Sequence, residues 1–112
     1  MALTPEKKVK NKCVTLIKAY GVYYFFPSMN GFGRSGVPDI ICCVDGKFLG
    51  VECKAGDNKP TDLQLLEMSK IRDAGGKTLV VNPGSEYTEG ILRGFIIDLN
   101  EKGIERWWKV EG

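Results

Sequence analysis

Residues 36–56 read GVPDIICCVDGKFLGVECKAG, and the fold turns on how that stretch is read. Asp45-Gly46 is a strong hairpin signal, because both residue types tolerate the positive φ that a two-residue turn between twisted strands requires. The flanking stretches, Asp39–Val44 and Lys47–Lys54, are rich in β-branched and other apolar residues and read as its two strands. The turn sets the register. Val44 falls opposite Lys47, then Cys43 opposite Phe48, Cys42 opposite Leu49, Ile41 opposite Gly50, Ile40 opposite Val51, and Asp39 opposite Glu52. Alternation gives one apolar face of Ile40, Cys42, Val44, Leu49, Val51 and Cys53, and gathers Asp39, Glu52 and Lys54 at one end of the other. Gly50, without a side chain on that second face, is expected to leave room beside the charges.

Two carboxylates face to face repel unless something positive lies between them. Lys54 alone would neutralise one of them, and an ordinary cross-strand ion pair is the plain alternative reading. A hard divalent cation satisfies both. Magnesium typically takes one or two carboxylates and keeps waters and substrate phosphate as its other ligands. Two acids and a lysine are the inventory for metal-assisted phosphodiester hydrolysis, with the lysine placed to orient water or offset charge in the transition state. The backbone carbonyl of Cys53 can complete the coordination.

Outward from the hairpin, Thr4-Pro5 opens a helix as N-cap and first helical residue. Val9, Cys13, Leu16, Ile17 and Tyr20 recur at helical spacing as a buried stripe, and Gly21 stops it. On that helix Glu6 lies on the inward side, whereas Lys7, Lys8, Lys12 and Lys18 face away. VYYFF reads as a strand ended by Pro27, and SMNGFGRSG as a glycine-rich loop bordering Asp39. After the hairpin, Thr61 and Gln64 have the spacing of a capping box, opening a helix that ends at Gly75-Gly76. KTLVV follows as a strand, parallel to the one before the helix if the pair forms a crossover unit. Residues 86–102 have apolar positions at helical spacing, although FIIDL can be read as a strand; IERWWKV carries no assignment. The order gives an α/β fold, a mixed central sheet flanked by helices.

The 112 residues form a single domain, 1–112, with the 43% hydrophobic and 27% charged composition of a soluble globular protein. No apolar run is long enough to span a bilayer and the lysine-rich start lacks a signal peptide's apolar segment, so a cytoplasmic location and no membrane partner are expected. With no histidine and no CxxC pair among four cysteines, zinc is disfavoured, and small buried thiols are expected. Residues 1–34 hold Lys7, Lys8, Lys10, Lys12, Lys18 and Arg34 against Glu6 alone. That imbalance fits a polyanionic partner and equally a solvated helix face.

Pro38-Asp39 followed by Glu52-Cys53-Lys54 on the next strand resembles the PD-(D/E)XK nuclease pattern. GRSGVPDIICCVDGKFLGVECKAG, with Gln64 on the next helix and AGGKTLVV after it, resembles its virus-type replication–repair (VRR-Nuc) branch over residues 4–84. The resemblance implies a restriction-endonuclease-like core and an endonuclease using Mg2+, with Mn2+ able to substitute. It implies Asp39 and Glu52 as metal ligands and Lys54 as the catalytic lysine. Gln64 is implied as an active-site helix residue, and Glu6 as an acid reaching the metal site through water. Each of the last two has a structural alternative: Gln64 as a reciprocal cap, Glu6 as a partner of the helix's positive end. Arg34, Ser35, Lys8 and Lys12 are the candidate DNA-phosphate contacts. Trp107-Trp108 and residues 87–99 suggest a homodimer, and compact members of this branch resemble Holliday-junction resolvases, so branched DNA is the expected substrate. A DNA-binding module, or a subunit of a larger assembly, of the same fold without independent cleavage is the rival reading.

Overall fold

The computed structural model describes residues 4–27, 35–56 and 58–82. Within them the elements run α1 (Pro5–Ala19), β1 (Tyr23–Phe25), β2 (Ile40–Val44), β3 (Lys47–Cys53), α2 (Asp62–Asp73) and β4 (Lys77–Val81). The expected third helix or strand of residues 86–102, the tail carrying Trp107-Trp108, and Arg34 lie outside the described residues.

The hairpin turn has the predicted backbone, with Asp45 at φ 51° and Gly46 at φ 79°. Its register follows rung by rung from Val44–Lys47 to Ile40–Val51. β1 adds antiparallel to β2, and β4 adds parallel to β3 after the α2 crossover, giving the order β1-β2-β3-β4. This is a mixed α/β sheet.

Each face then acquires its own helix. The apolar face of the hairpin, with Leu79 and Val81 of β4, packs on Val9, Cys13, Leu16 and Ile17 of α1 in one cluster. Burial of a side chain such as Ile17, which is 0% exposed, contributes about 1.5–3 kcal/mol. Thr4 caps α1 by accepting from the Lys7 N–H at 3.2 Å, and Gly21, at φ 68°, lets the chain turn away. Tyr20, expected in the buried stripe, is only partly buried. The outward lysines Lys7, Lys8, Lys12 and Lys18 are all exposed. Lys10 extends over the Phe26 ring, 4.3 Å from its centroid.

α2 covers the opposite face, with Met68 fully buried and Ile71 over Gly50 and Gly76. The room expected beside Gly50 is therefore occupied: a Cβ there would lie 2.9 Å from Pro38 Cγ and 3.2 Å from Ile71 Cδ1. The missing side chain makes space for the proline ring that precedes Asp39. The thiols also divide differently from expectation. Cys13, Cys42 and Cys53 are buried, but Cys43, on the face of β2 opposite to that of Cys42, is exposed. Cys13 and Cys53 sulfurs lie 4.0 Å apart, and burial pushes the Cys42 thiol up to about 12, so these are packing groups. Among the described residues no helix is long and apolar enough to cross a membrane.

Candidate active site

The β2–β3 ladder stops at Ile40–Val51, which leaves Asp39 one residue beyond the strand and Glu52 still within β3. Asp39 continues the pairing with its side chain, whose Oδ2 accepts from the Cys53 N–H at 2.8 Å. That bond fixes one carboxylate at the end of the sheet, beside the other. Glu52 is 2% exposed; its Oε2 accepts from Gln64 Nε2 at 2.9 Å and lies 3.7 Å from Lys54 Nζ. Its Oε1 is buried without a hydrogen-bond partner. Lys54, also buried, has its ammonium 3.9 Å from Glu6 Oε2 on its other side. Three elements thus converge: Glu6 from α1, Glu52 and Lys54 from β3 and the residue after it, and Gln64 from α2.

The electrostatics show what the cluster lacks. The Glu52 carboxyl is pushed up to about 8, first by burial and then by the Asp39 carboxylate, with Lys54 opposing and Glu6 adding to the rise. A buried carboxyl with one bare oxygen, kept from ionising beside a second carboxylate, is short of positive charge. Lys54 divides itself between two acids and cannot supply enough. The residues therefore fit a hard cation. Among the described residues no three His, Cys, Asp or Glu side chains form a metal-binding group, so Asp39 and Glu52 are the side-chain ligands these residues provide. Such a set suits a cation that fills its remaining positions from backbone carbonyl, water and substrate oxygens, and does not suit zinc.

Gln64 meets both readings of its role at once. Its Oε1 accepts from the Thr61 N–H at 2.8 Å, its own N–H donates to Thr61 Oγ1 at 3.2 Å, and its Nε2 reaches Glu52. Cap and site contact use different atoms of one amide. Glu6 is inward as expected but half-exposed, and the contact it makes is with Lys54. Of the candidate phosphate contacts, Ser35, Lys8 and Lys12 are exposed, the lysines on the outer side of α1.

Two glycines hold this arrangement: Gly50, expected to leave open room beside the charges, and Gly36, expected only as part of the glycine-rich loop bordering Asp39. Gly50 receives the Pro38 ring. Gly36, at φ 88°, lies so close to α2 that a Cβ would come within 2.6 Å of the Leu63 carbonyl oxygen. The segment leading to Asp39 is thereby pressed onto the first turn that carries Gln64. Glycine before Pro-Asp was the available signal. Gly36→Ala, strained in backbone and crowded against backbone atoms, is expected to destabilise by about 1–3 kcal/mol. Urea unfolding at fixed m-value measures it; an unchanged midpoint would mean α2 gives way freely.

No protein-family model matches the chain. A curated protein of Acyrthosiphon pisum secondary endosymbiont phage 1, named "Putative nuclease p44", is 36% identical over 84 residues, spanning 73% of this chain and 87% of its own. A solved structure described as a VRR_NUC domain superposes with a TM-score of 0.65 at 25% identity, covering 85% of this chain and 97% of the other. The structural match agrees with the mixed sheet flanked by helices. This chain is a nuclease of the VRR-Nuc family.

Proposed function

We propose that the protein is a magnesium-dependent endonuclease that hydrolyses DNA phosphodiester bonds, with manganese able to substitute. The observation that carries this reading is the buried, unpartnered Glu52 oxygen beside Asp39. Asp39, Glu52 and the Cys53 backbone carbonyl hold the cation. When bound, the cation supplies Lewis acidity, lowering the pKa of a water and offsetting charge on the phosphoryl oxygens. Lys54 donates to the charge that develops on phosphate, or orients the attacking water, from a buried position where such a contact is strengthened. Glu6 keeps the ammonium at the site from the α1 side. Ser35, Arg34, Lys8 and Lys12 contact backbone phosphates, which position the substrate without reading its sequence.

The finer reading is a homodimer that prefers branched DNA and resembles a Holliday-junction resolvase. Its support is the apolar sequence of residues 87–99 and Trp107-Trp108, together with one catalytic cluster per chain, since paired cuts on opposed strands need two. One experiment tests both levels. Purified protein is incubated with plasmid, linear duplex and four-way-junction DNA in Mg2+, Mn2+ or EDTA, and its mass is taken by light scattering. Cleavage with either ion, none in EDTA, a junction preference and a dimer mass are expected. Cutting that persists in EDTA overturns the metal reading, and a monomer that treats duplex and junction alike overturns the resolvase reading. No cutting of any DNA leaves a binding module.

Phosphate contact by α1 has its own measurable consequence. Each neutralised phosphate contributes about −0.9 to the slope of log K against log salt, so Lys8→Glu with Lys12→Glu should reduce its magnitude by roughly 2. A filter-binding or anisotropy series over salt concentration measures it. An unchanged slope reassigns both lysines to a solvated face.

A further inference from the structure

Gln64 and Thr61 offer a further assignment, which rests on the cation site just described. Glu52 has two oxygens in different circumstances: Oε2 is taken by Gln64 Nε2 at 2.9 Å, whereas Oε1 is buried and bare. An unbraced carboxylate can rotate and exchange its oxygens. This one is held because the Gln64 amide is itself fixed at its far end by the Thr61 N–H, at 2.8 Å. The amide can lie only one way round. The Thr61 N–H can only donate, so a swapped amide would set N–H against N–H there.

We infer that the N-cap of α2 is also the positioning device of the metal site: Thr61 N–H fixes the Gln64 amide, which fixes Glu52 so that Oε1 is the oxygen presented to the cation. Gln64 is thus a positioning residue acting through Glu52. Partners of this kind, hydrogen-bonded to a metal ligand, typically carry about 10–100-fold in metal affinity or activity. The mechanical link is short. Gly36 packs on the Leu63 backbone next to Gln64, so the turn that carries the amide and the segment that carries Asp39 move together.

Fraying of the helix and loss of the amide separate by mutation. Leu66→Gly, at an exposed position inside α2, weakens the helix but keeps the Thr61 cap and the whole Gln64–Glu52 contact. Gln64→Met, of similar length, removes both bonds of the amide. Mn2+ alone is titrated by calorimetry into metal-free wild type and each variant, with thermal melts followed by circular dichroism and with kcat and KM measured on cleavable DNA. Both variants should melt earlier than wild type. Only Gln64→Met should bind Mn2+ about 10-fold more weakly and lose kcat at nearly constant KM. Wild-type Mn2+ affinity in Gln64→Met reduces the residue to a cap and overturns the proposal. Equal weakening in both variants overturns it too, since fraying of α2 would then be the cause. Either result leaves Asp39 and Glu52 as the site, whereas a wild type that takes up no Mn2+ removes the cation reading itself.

Discussion

Glu52→Gln is expected to lower the rate of DNA cleavage by about 10³-fold or more, a barrier increase of about 4 kcal/mol, while the fold remains intact. The substitution keeps the shape of a fully buried side chain, so the core around it need not move. It removes the negative charge that makes the sheet end a cation site. Asp39→Asn should fail in the same way, with a milder structural effect, because the Cys53 N–H can still donate to an amide oxygen. Lys54→Ala provides the contrast. Its ammonium acts on charge that develops during reaction, and the loss of such a donor costs on the order of 10²–10³ in kcat with cation binding retained. Lys54→Arg should not restore the rate, because a planar fork does not replace a compact ammonium between two carboxylates. Single-turnover cleavage together with Mn2+ calorimetry separates the two classes. Full magnesium-dependent cleavage by Glu52→Gln would sink the assignment of the site.

Much of this was legible in the chain because a β-hairpin has a discrete register. Once Asp45-Gly46 is taken as a two-residue turn, the side-chain period of two forces Glu52 and Lys54 to share a face and brings Asp39 to the adjoining end. Helix starts were equally readable, since Thr4-Pro5 and Thr61–Gln64 carry their hydrogen-bonding partners within a few residues. What could not be read depends on contacts between elements distant in sequence. Periodicity says that Gly50 faces the site, but not that Pro38 fills the space above it. The positive φ of Gly36 is a local property, yet its purpose is the approach of α2, which lies 27 positions further on at Leu63. Gln64 looked like a choice between cap and active-site residue because the spacing showed one bond, whereas an amide has a donor end and an acceptor end to use separately. Alternation placed Cys42 and Cys43 on opposite faces, but which thiol would be covered depended on the helices.

The shortage of positive charge at Glu52 should also be visible without any substrate, as a dependence of stability on pH. The carboxyl is raised from its ordinary 4.5 to about 8, chiefly by burial and then by Asp39. Between those values the folded, metal-free protein keeps a proton that the unfolded chain has released. The folded state binds more protons, so unfolding free energy falls as pH rises, by up to about 1.4 kcal/mol per pH unit. The loss should begin above the unfolded value of 4.5 and level off beyond about 8. Since Glu52 is almost wholly buried, solvent screening does little to reduce it. Glu52→Gln has no carboxyl to protonate at that position, so the difference between its urea-unfolding profile and that of wild type isolates this group from other titrations. The variant should gain on wild type steadily from pH 5 to pH 8. A saturating divalent cation should flatten the wild-type profile as well, because binding favours the ionised carboxylate and displaces its proton. Mn2+ titrations at pH 6 in buffers of different ionisation enthalpy would count that proton directly. Parallel profiles for wild type and variant, with no proton released on Mn2+ binding, would mean that Glu52 is ionised and already neutralised by Lys54. The site would then be an internal ion pair, with no need of a cation.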